Sequence, residues 1–458
     1  MEARKAGKAE MIFHRVLADI KPSQAETNAT IANINTVTSR LAGIVEKGVE
    51  LRVVGSVARG TNLKGDADID IFMLFHKKTG KEELVRKGLA YGKKLASGKR
   101  DRFEIKYAEH PYIRVYLEGL GVRIDLVPAL KIDNIEEMGT TVDRTPLHTD
   151  FINSNMTERQ RDETRLLKYL LKAHNIYGAE VRVGGFPGYL CELLILQFGS
   201  LIKLLESAAT FELPVILDPK TRGRQGDQRL VKRFNSKFIV IDPVDSNRNV
   251  GAGVSPESLS RFVMVARRFV DNPSAELFFG KGFPSPAAGV LLRKFTKDSG
   301  LSLYMVKLRV PDKSEDVVWP QLRKTSGIMA DTLSRHGYGV FLSAQWISGH
   351  YGFLLFALPG TRIETRLLKG PSVFMRQAAG NFIKGHSRAI GALIKGTELY
   401  ALEKNRYGSA EEAFRDMIRK GRKARKDIRL GKAMLFVNSI PKEYAGAAYS
   451  ELMKKLQI

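Results

Sequence analysis

One stretch restricts this chain more than any other: the turn Gly55-Ser56-Val57-Ala58-Arg59-Gly60-Thr61, followed by Asp66-Ala67-Asp68-Ile69-Asp70-Ile71-Phe72-Met73-Leu74-Phe75. The second piece reads as a strand. Alternation places Asp68, Asp70, Phe72 and Leu74 on one face and Ile69, Ile71, Met73 and Phe75 on the other. Carboxylates at i and i+2 stand about 7 Å apart on one side of a strand, close enough to share one or two hard cations. A second apolar strand, Val122 to Pro128, carries a single acid, Asp125. An acid in such a strand is costly to bury unless it is paired or metal-bound. The economical arrangement sets Asp125 on a strand beside Asp68 and Asp70, so that three carboxylates share divalent metal and a polyphosphate. A lone Asp-x-Asp also arises from ordinary alternation on a half-exposed strand. The ordered combination of Gly-Ser turn, acidic strand and later lone acid is far more specific.

With 458 residues the chain calls for two to four domains. A formal charge of +25 and a pI near 9.9 point to a polyanionic partner, most simply nucleic acid. The single cysteine, Cys191, excludes an intramolecular disulfide and a Cys-rich zinc site. The first ten residues lack the apolar core of a secretory signal. No run approaches 18 uninterrupted apolar residues, so the expectation is a cytoplasmic protein without a membrane span.

Apolar spacing predicts helix over residues 1 to about 48, interrupted at Lys21-Pro22-Ser23. A helix from Lys81 to about Ser97 and a strand from Phe103 to Tyr107 lie between the two acidic strands. Residues 163–173 form an amphipathic helix with Arg165, Lys168 and Lys172 on its polar side. A further helix over Leu190 to Leu204 starts near Pro187, and a strand pair is expected near Phe238 to Pro243. Gly280 to Ala288 reads as a linker. Beyond it come a strand over Leu301 to Val310, a helix opened by Trp319-Pro320-Gln321, and paired strands at Tyr338–Trp346 and Tyr351–Leu358. The remainder reads as helical and basic, densest at Arg419 to Lys426, where a solvated face and phosphate contact are equally good readings. The divisions are 1–150, 151–275 and 276–458.

The matching strings identify a resemblance. Besides the turn and the Asp68-Ile69-Asp70 strand, they are Tyr107 to Tyr112, Val142 to His148, Arg165 to Lys168, Ile176 to Glu180, Gly185 to Leu193 and Val240 to Val250. Over roughly residues 50 to 260 the chain resembles the archaeal-type (class I) CCA-adding enzymes, within the DNA polymerase beta-like nucleotidyltransferases. The last third matches only as Trp319-Pro320-Gln321-Leu322 and a Gly370-Pro371 turn. The resemblance implies an α+β multidomain fold: a polymerase beta-like catalytic head, a mainly helical neck that binds nucleotide and primer, and an α+β tRNA-binding body with a helical basic tail. It implies stepwise, untemplated addition of C, C and A to the tRNA 3′ end from CTP and ATP, with Mg²⁺ held by Asp68, Asp70 and Asp125. Some relatives carry Glu where this chain has Asp68, and either acid ligates Mg²⁺.

By the same resemblance Ser56 donates to the triphosphate, beside turn amides that form an anion-binding concavity, and Arg59 reaches the same anion. His148, Lys168 and Tyr177 complete the nucleotide site, and Arg248 is a candidate for base or phosphate recognition. Taken alone, Tyr177 reads better as a helix-end packing residue, His148 equally well as a surface histidine, and Arg248 as a surface ion pair. A homodimer is common in the family. The rivals are an ATP-only polymerase of the same superfamily, making poly(A) or oligoadenylate, and an RNA-binding protein that has lost catalysis.

Overall fold

The computed structural model describes residues 2–66, 68–107, 110–221, 227–279, 287–421, 428 and 430–456. The chain divides into two compact units, residues 1–281 and 282–457.

The first unit opens with α1 (Glu2–Ile20) and α2 (Gln24–Ala42). The expected break between them is made by Ser23, whose side chain and that of Glu26 form a reciprocal capping box. Then follow β1 (Glu50–Val54), the single turn α3 (Gly55–Ala58), β2 (Ile69–Phe75), α4 (Lys81–Leu95), β3 (Arg102–Tyr107), β4 (Pro111–Leu117) and β5 (Val122–Leu130). The strands form one sheet in the order β1-β2-β5-β4-β3. Its central pair, β2 and β5, is parallel; its other pairs are antiparallel. Strands in the middle of a sheet covered on both faces must be apolar on both faces. Accordingly Ile69, Ile71, Met73, Ile113, Ile124 and Leu126 pack against Val37 and Leu41 of α2 and Leu84 and Tyr91 of α4. Phe72 and Leu74 pack on the opposite face with Val54 and Ala129. α4 can approach the sheet closely because Gly92 has no side chain: a Cβ there would stand 2.2 Å from Ile113 Cγ2.

Next come α5 (Thr145–Asn155), α6 (Glu158–Ala173), α7 (Gly188–Phe198), α8 (Leu201–Ala209), β6 (Val215–Leu217), α9 (Gln228–Phe234), β7 (Phe238–Val240) and α10 (Pro256–Asp271). β7 falls where a strand pair is expected near Phe238 to Pro243, but its partner is β6, earlier in the chain, and the two run parallel. The single helix expected over Leu190 to Leu204 is two helices. Gly199 adopts the left-handed conformation (φ 81°), which ends α7, and Ser200 caps α8. Among the described residues no single helix is long and apolar enough to cross a membrane, and the apolar α7 and α8 bury Leu193, Leu194, Leu204 and Leu205 in the core of this unit.

The second unit comprises α11 (Ala288–Ser299), β8 (Ser302–Arg309), α12 (Glu315–Arg335), β9 (Leu342–Ser348), β10 (Tyr351–Leu358), β11 (Thr365–Ser372), α13 (Arg376–Gly385), β12 (Gly391–Lys395), β13 (Glu398–Lys404), α14 (Ala410–Arg419), β14 (Met434–Val437) and α15 (Lys442–Leu456). One antiparallel sheet runs β14-β8-β10-β9, and a second runs β11-β13-β12. β9 and β10 pair as expected. Two expectations are corrected. α12 begins at Glu315, so Pro320 lies inside it rather than opening it. The segment after residue 358 is not simply helical, since it builds the β11-β13-β12 sheet. β12 is exposed along its whole length, so it lacks the buried face that produces readable alternation. In the basic run Arg419 and Lys420 pair with Asp416 at 2.9 and 2.7 Å. Residues 422–426 of that run and 280–286 of the expected linker lie outside the described residues.

Candidate active site

The acids come together through strand register. In the parallel β2–β5 pair Asp70 stands opposite Asp125, and in the antiparallel β1–β2 pair it stands opposite Val54. The turn after Val54 closes over Asp70. Gly55 has φ 78°, and a Cβ there would lie 2.0 Å from Asp70 Oδ2. Arg114 on β4, the register partner of Asp125, donates to both of its carboxylate oxygens, through Nε at 2.6 Å and Nη2 at 2.7 Å. Arg123 pairs with Asp68. Burial, then the neighbouring Asp125 and Asp68, push the Asp70 carboxyl up to about 7. A buried carboxyl flanked by two further acids forms with them an oxygen donor set suited to a hard divalent cation. Among the described residues no three His, Cys, Asp or Glu side chains already converge in metal-binding geometry. Two of these acids instead hold arginines.

A second cluster lies behind the turn. The helical turn α3 carries Ser56, whose carbonyl accepts from the Thr61 amide at 2.9 Å. Arg59 turns inward and pairs with Glu192 of α7 at 2.8 Å. The Thr61 hydroxyl donates to Glu192 Oε1 at 2.6 Å and accepts from Lys168 Nζ at 2.9 Å. Lys168 lies 3.7 Å from the same carboxylate. Glu192 is 0% and Lys168 2% exposed. Burial lowers the Lys168 ammonium. Burial also opposes the Glu192 charge, but Arg59 and Lys168 still hold that carboxyl below its ordinary range. Two cations against one carboxylate leave this buried cluster with an excess positive charge, the polarity an anion requires. Tyr177 borders it: a Cβ on Gly188 would stand 3.3 Å from the Tyr177 hydroxyl and 3.5 Å from Lys168 Nζ.

A third group gathers His148, Arg248 and Asp242. His148 Nε2 lies 2.9 Å from Asp242 Oδ2, which also accepts from Arg248 Nη1 at 2.8 Å. The Tyr189 ring stacks on His148 at 4.1 Å, and its hydroxyl donates to Asp242 Oδ1 at 3.1 Å. Arg144 pairs with Asp245 at 3.2 Å. Burial lowers the His148 imidazole against the pull of Asp242. Neither His148 nor Arg248 is a solitary surface residue, because both share one buried carboxylate.

The sequence reading missed Glu192, Asp242, Arg114 and Arg123. The first two carried a signal, since each is an acid set in an apolar run, Leu190-Cys191-Glu192-Leu193 and Ile239-Val240-Ile241-Asp242. The argument applied to Asp125 finds them.

A Gly-Ser turn packed on an acidic strand, paired in parallel with a second acid-bearing strand in a mixed sheet, defines a polymerase beta-like nucleotidyltransferase, a class that works with divalent metal ions. Residues 34–155 match the nucleotidyltransferase domain, 162–279 the second domain of tRNA nucleotidyltransferase, and 299–434 the C-terminal domain of CCA-adding enzyme. The chain is 34% identical to a CCA-adding enzyme of Methanocaldococcus jannaschii, over 89% of this chain and 90% of that one. It is 35% identical to one of Thermococcus gammatolerans, over 97% and 98%. A solved cytoplasmic RNA terminal U-transferase superposes with a TM-score of 0.48 at 16% identity, covering 60% of this chain and 99% of that one. The chain belongs to the CCA-adding enzyme family of tRNA nucleotidyltransferases.

Proposed function

We propose that this protein adds C, C and A to the 3′ end of tRNA from CTP and ATP, and that Asp68, Asp70 and Asp125 are its metal-binding acids. The observation that carries the reading is the placement of Asp70 opposite Asp125 beneath the Gly55 turn. In phosphoryl transfer the protein mainly positions groups and offsets charge. Asp68, Asp70 and Asp125 would hold a divalent cation, which we assign as Mg²⁺ and which would supply charge neutralisation at the triphosphate. The Ser56 hydroxyl and the turn amides bind the phosphates. Arg59 and Lys168 supply positive charge behind them, and Tyr177 and His148 border the nucleotide. Arg248, anchored by Asp242, reaches the base or a phosphate. The RNA 3′-hydroxyl attacks the α-phosphate, its proton passes toward Asp125, the bond to the β-phosphate oxygen breaks and pyrophosphate leaves.

In this reading residues 1–150 catalyse, 151–275 bind nucleotide and primer, and 276–458 bind tRNA by shape and phosphate charge. A cytoplasmic location and a homodimer belong to the same proposal. The test supplies a tRNA transcript lacking its last three nucleotides, with Mg²⁺ and CTP alone, ATP alone, or both. Two additions with CTP and a third only with ATP support the reading. A long ladder with ATP alone makes the protein a poly(A)-type polymerase, and binding without addition makes it an RNA-binding protein.

A further inference from the structure

One face of α6 is spent on the backbone that joins the phosphate turn to the acidic strand. Arg161, Arg165, Lys168 and Lys172 recur at i, i+4, i+7 and i+11, which aligns them in one stripe. Arg161 donates to the Arg59 carbonyl. Arg165 donates to the Gly60 carbonyl through Nη2 at 2.5 Å and to the Asn62 carbonyl through Nε at 2.9 Å. Lys168 donates to the Thr61 carbonyl between them at 3.0 Å. Lys172 ends the stripe on Asp66 Oδ2 at 2.5 Å. Four successive carbonyls, from residue 59 to residue 62, are thus held by three basic side chains of one helix.

Arg165 is the centre of this arrangement. It is 7% exposed, and its remaining nitrogen, Nη1, donates to Asp162 at 2.5 Å, which in turn pairs with Lys21, just past the end of α1, at 2.8 Å. Burying a guanidinium is expensive. A planar fork that grips two carbonyls flanking one residue fixes that residue in a way a lysine cannot. The residue it brackets is Thr61, whose hydroxyl is shared by Lys168 and Glu192, and Glu192 in turn holds Arg59.

We propose that Arg165 is a positioning residue for nucleotidyl transfer: by clamping the Gly60 and Asn62 carbonyls it sets Thr61, and through Thr61 the Lys168, Glu192 and Arg59 cluster behind the phosphate turn. The inference rests on the nucleotidyl-transfer reading above. Arg165 touches neither nucleotide nor metal in this scheme. Its effect is on where the phosphate turn stands relative to Asp70, and a displacement of about 1 Å in such a site costs about a hundredfold in rate.

The test uses the full chain with Arg165→Lys, Thr61→Val and the double variant. Steady-state CTP addition is measured well below the melting temperature, with hydrogen exchange of the 55–66 segment in the same samples. Each single variant is expected to lose about a hundredfold in kcat, with KM for CTP within fivefold and tRNA affinity within twofold of wild type. Because both changes break one link, the double variant is expected within about threefold of the weaker single variant. Exchange over 55–66 rises at least tenfold in Arg165→Lys, while that of β8 and β10 stays at its wild-type rate. A kcat within threefold of wild type, a loss confined to KM, losses that multiply in the double variant, or unchanged exchange over 55–66 each overturn the proposal. If Arg165→Lys does not fold, Thr61→Val decides, and a kcat within threefold of wild type overturns it. A wild-type chain that adds nucleotides beside a variant that behaves like it separates failure of this inference from failure of the functional reading. The exchange measurement stands whichever nucleotide is used.

Discussion

Replacing Gly55 by alanine isolates the contact between the phosphate turn and the acid beneath it. The added Cβ would lie 2.0 Å from Asp70 Oδ2, about 1.4 Å short of ordinary van der Waals contact. Either the turn lifts or the Asp70 carboxylate swings away from the side facing Asp125. A shift of that size in a reacting site predicts a loss of about a hundredfold or more in kcat, close to 3 kcal/mol of transition-state stabilisation. The backbone adds a second cost, since φ at Gly55 is 78° and a residue with a Cβ pays about 1–2 kcal/mol there. Gly48 provides the control. Its φ is 98°, yet nothing lies within 4 Å of its would-be Cβ. Gly48→Ala should therefore carry the backbone cost, read by urea unfolding, with kcat for CTP addition within twofold of wild type. Equal turnover in Gly55→Ala and Gly48→Ala would refute the argument that the turn and Asp70 are in register-dependent contact.

The remaining predictions concern charge. Asp70→Ala should abolish nucleotide addition by several orders of magnitude while tRNA affinity in a filter-binding assay stays nearly unchanged, and retained turnover would sink its assignment as a metal ligand. Because burial and the neighbouring acids raise the folded-state Asp70 carboxyl to about 7, above its ordinary value near 4, the folded chain binds more protons than the unfolded chain between those values. In cation-free buffer its contribution to stability is therefore complete below about pH 4 and lost as pH rises through 7. A melting temperature that falls between pH 5 and 8 in wild type, with a shallower fall in Asp70→Asn, is the expected result; identical slopes count against it. Glu192→Gln strips the buried carboxylate from Arg59, Lys168 and Thr61 and should cost about 3–5 kcal/mol in urea unfolding. A loss below about 1 kcal/mol would mean that the two cations find other partners.

The acid strands were legible because their alternation is clean. Ile69, Ile71, Met73 and Ile124 had to face a core, and that requirement carried Asp68, Asp70 and Asp125 with them. α6 misled for the same physical reason. Arg165, Lys168 and Lys172 follow the pattern of a solvated helix face, but Arg165 and Lys168 are buried against the carbonyls of a loop more than 100 positions earlier. Periodicity reports which residues are apolar and says nothing about whether a polar stripe meets water or backbone. Arg59 shows the same limit: its place next to Ser56 suggested an outward reach to an anion, whereas Glu192, far away in sequence, draws it inward. The exposed β12, with no buried face to impose alternation, left no period to read.

The parallel pairing of β2 and β5 has a consequence for how chemistry and folding depend on each other. Side chains on a strand alternate with a period of two, so sliding β5 by a single residue along β2 would send Asp125 to the far side of the sheet and bring Ile124 or Leu126 beneath the turn. What forbids the slip is the greasy side: Ile124 and Leu126 fit among Ile69, Ile71 and Ile113, and a displaced strand would drive a carboxylate into that layer. The aliphatic layer thus works as a ruler, graduated in steps of one residue, whose reading is the spacing of the acids. An unrelated-looking core substitution that loosens this ruler, at Ile113 for instance, is then a change in the alignment of the reaction as much as a change in stability.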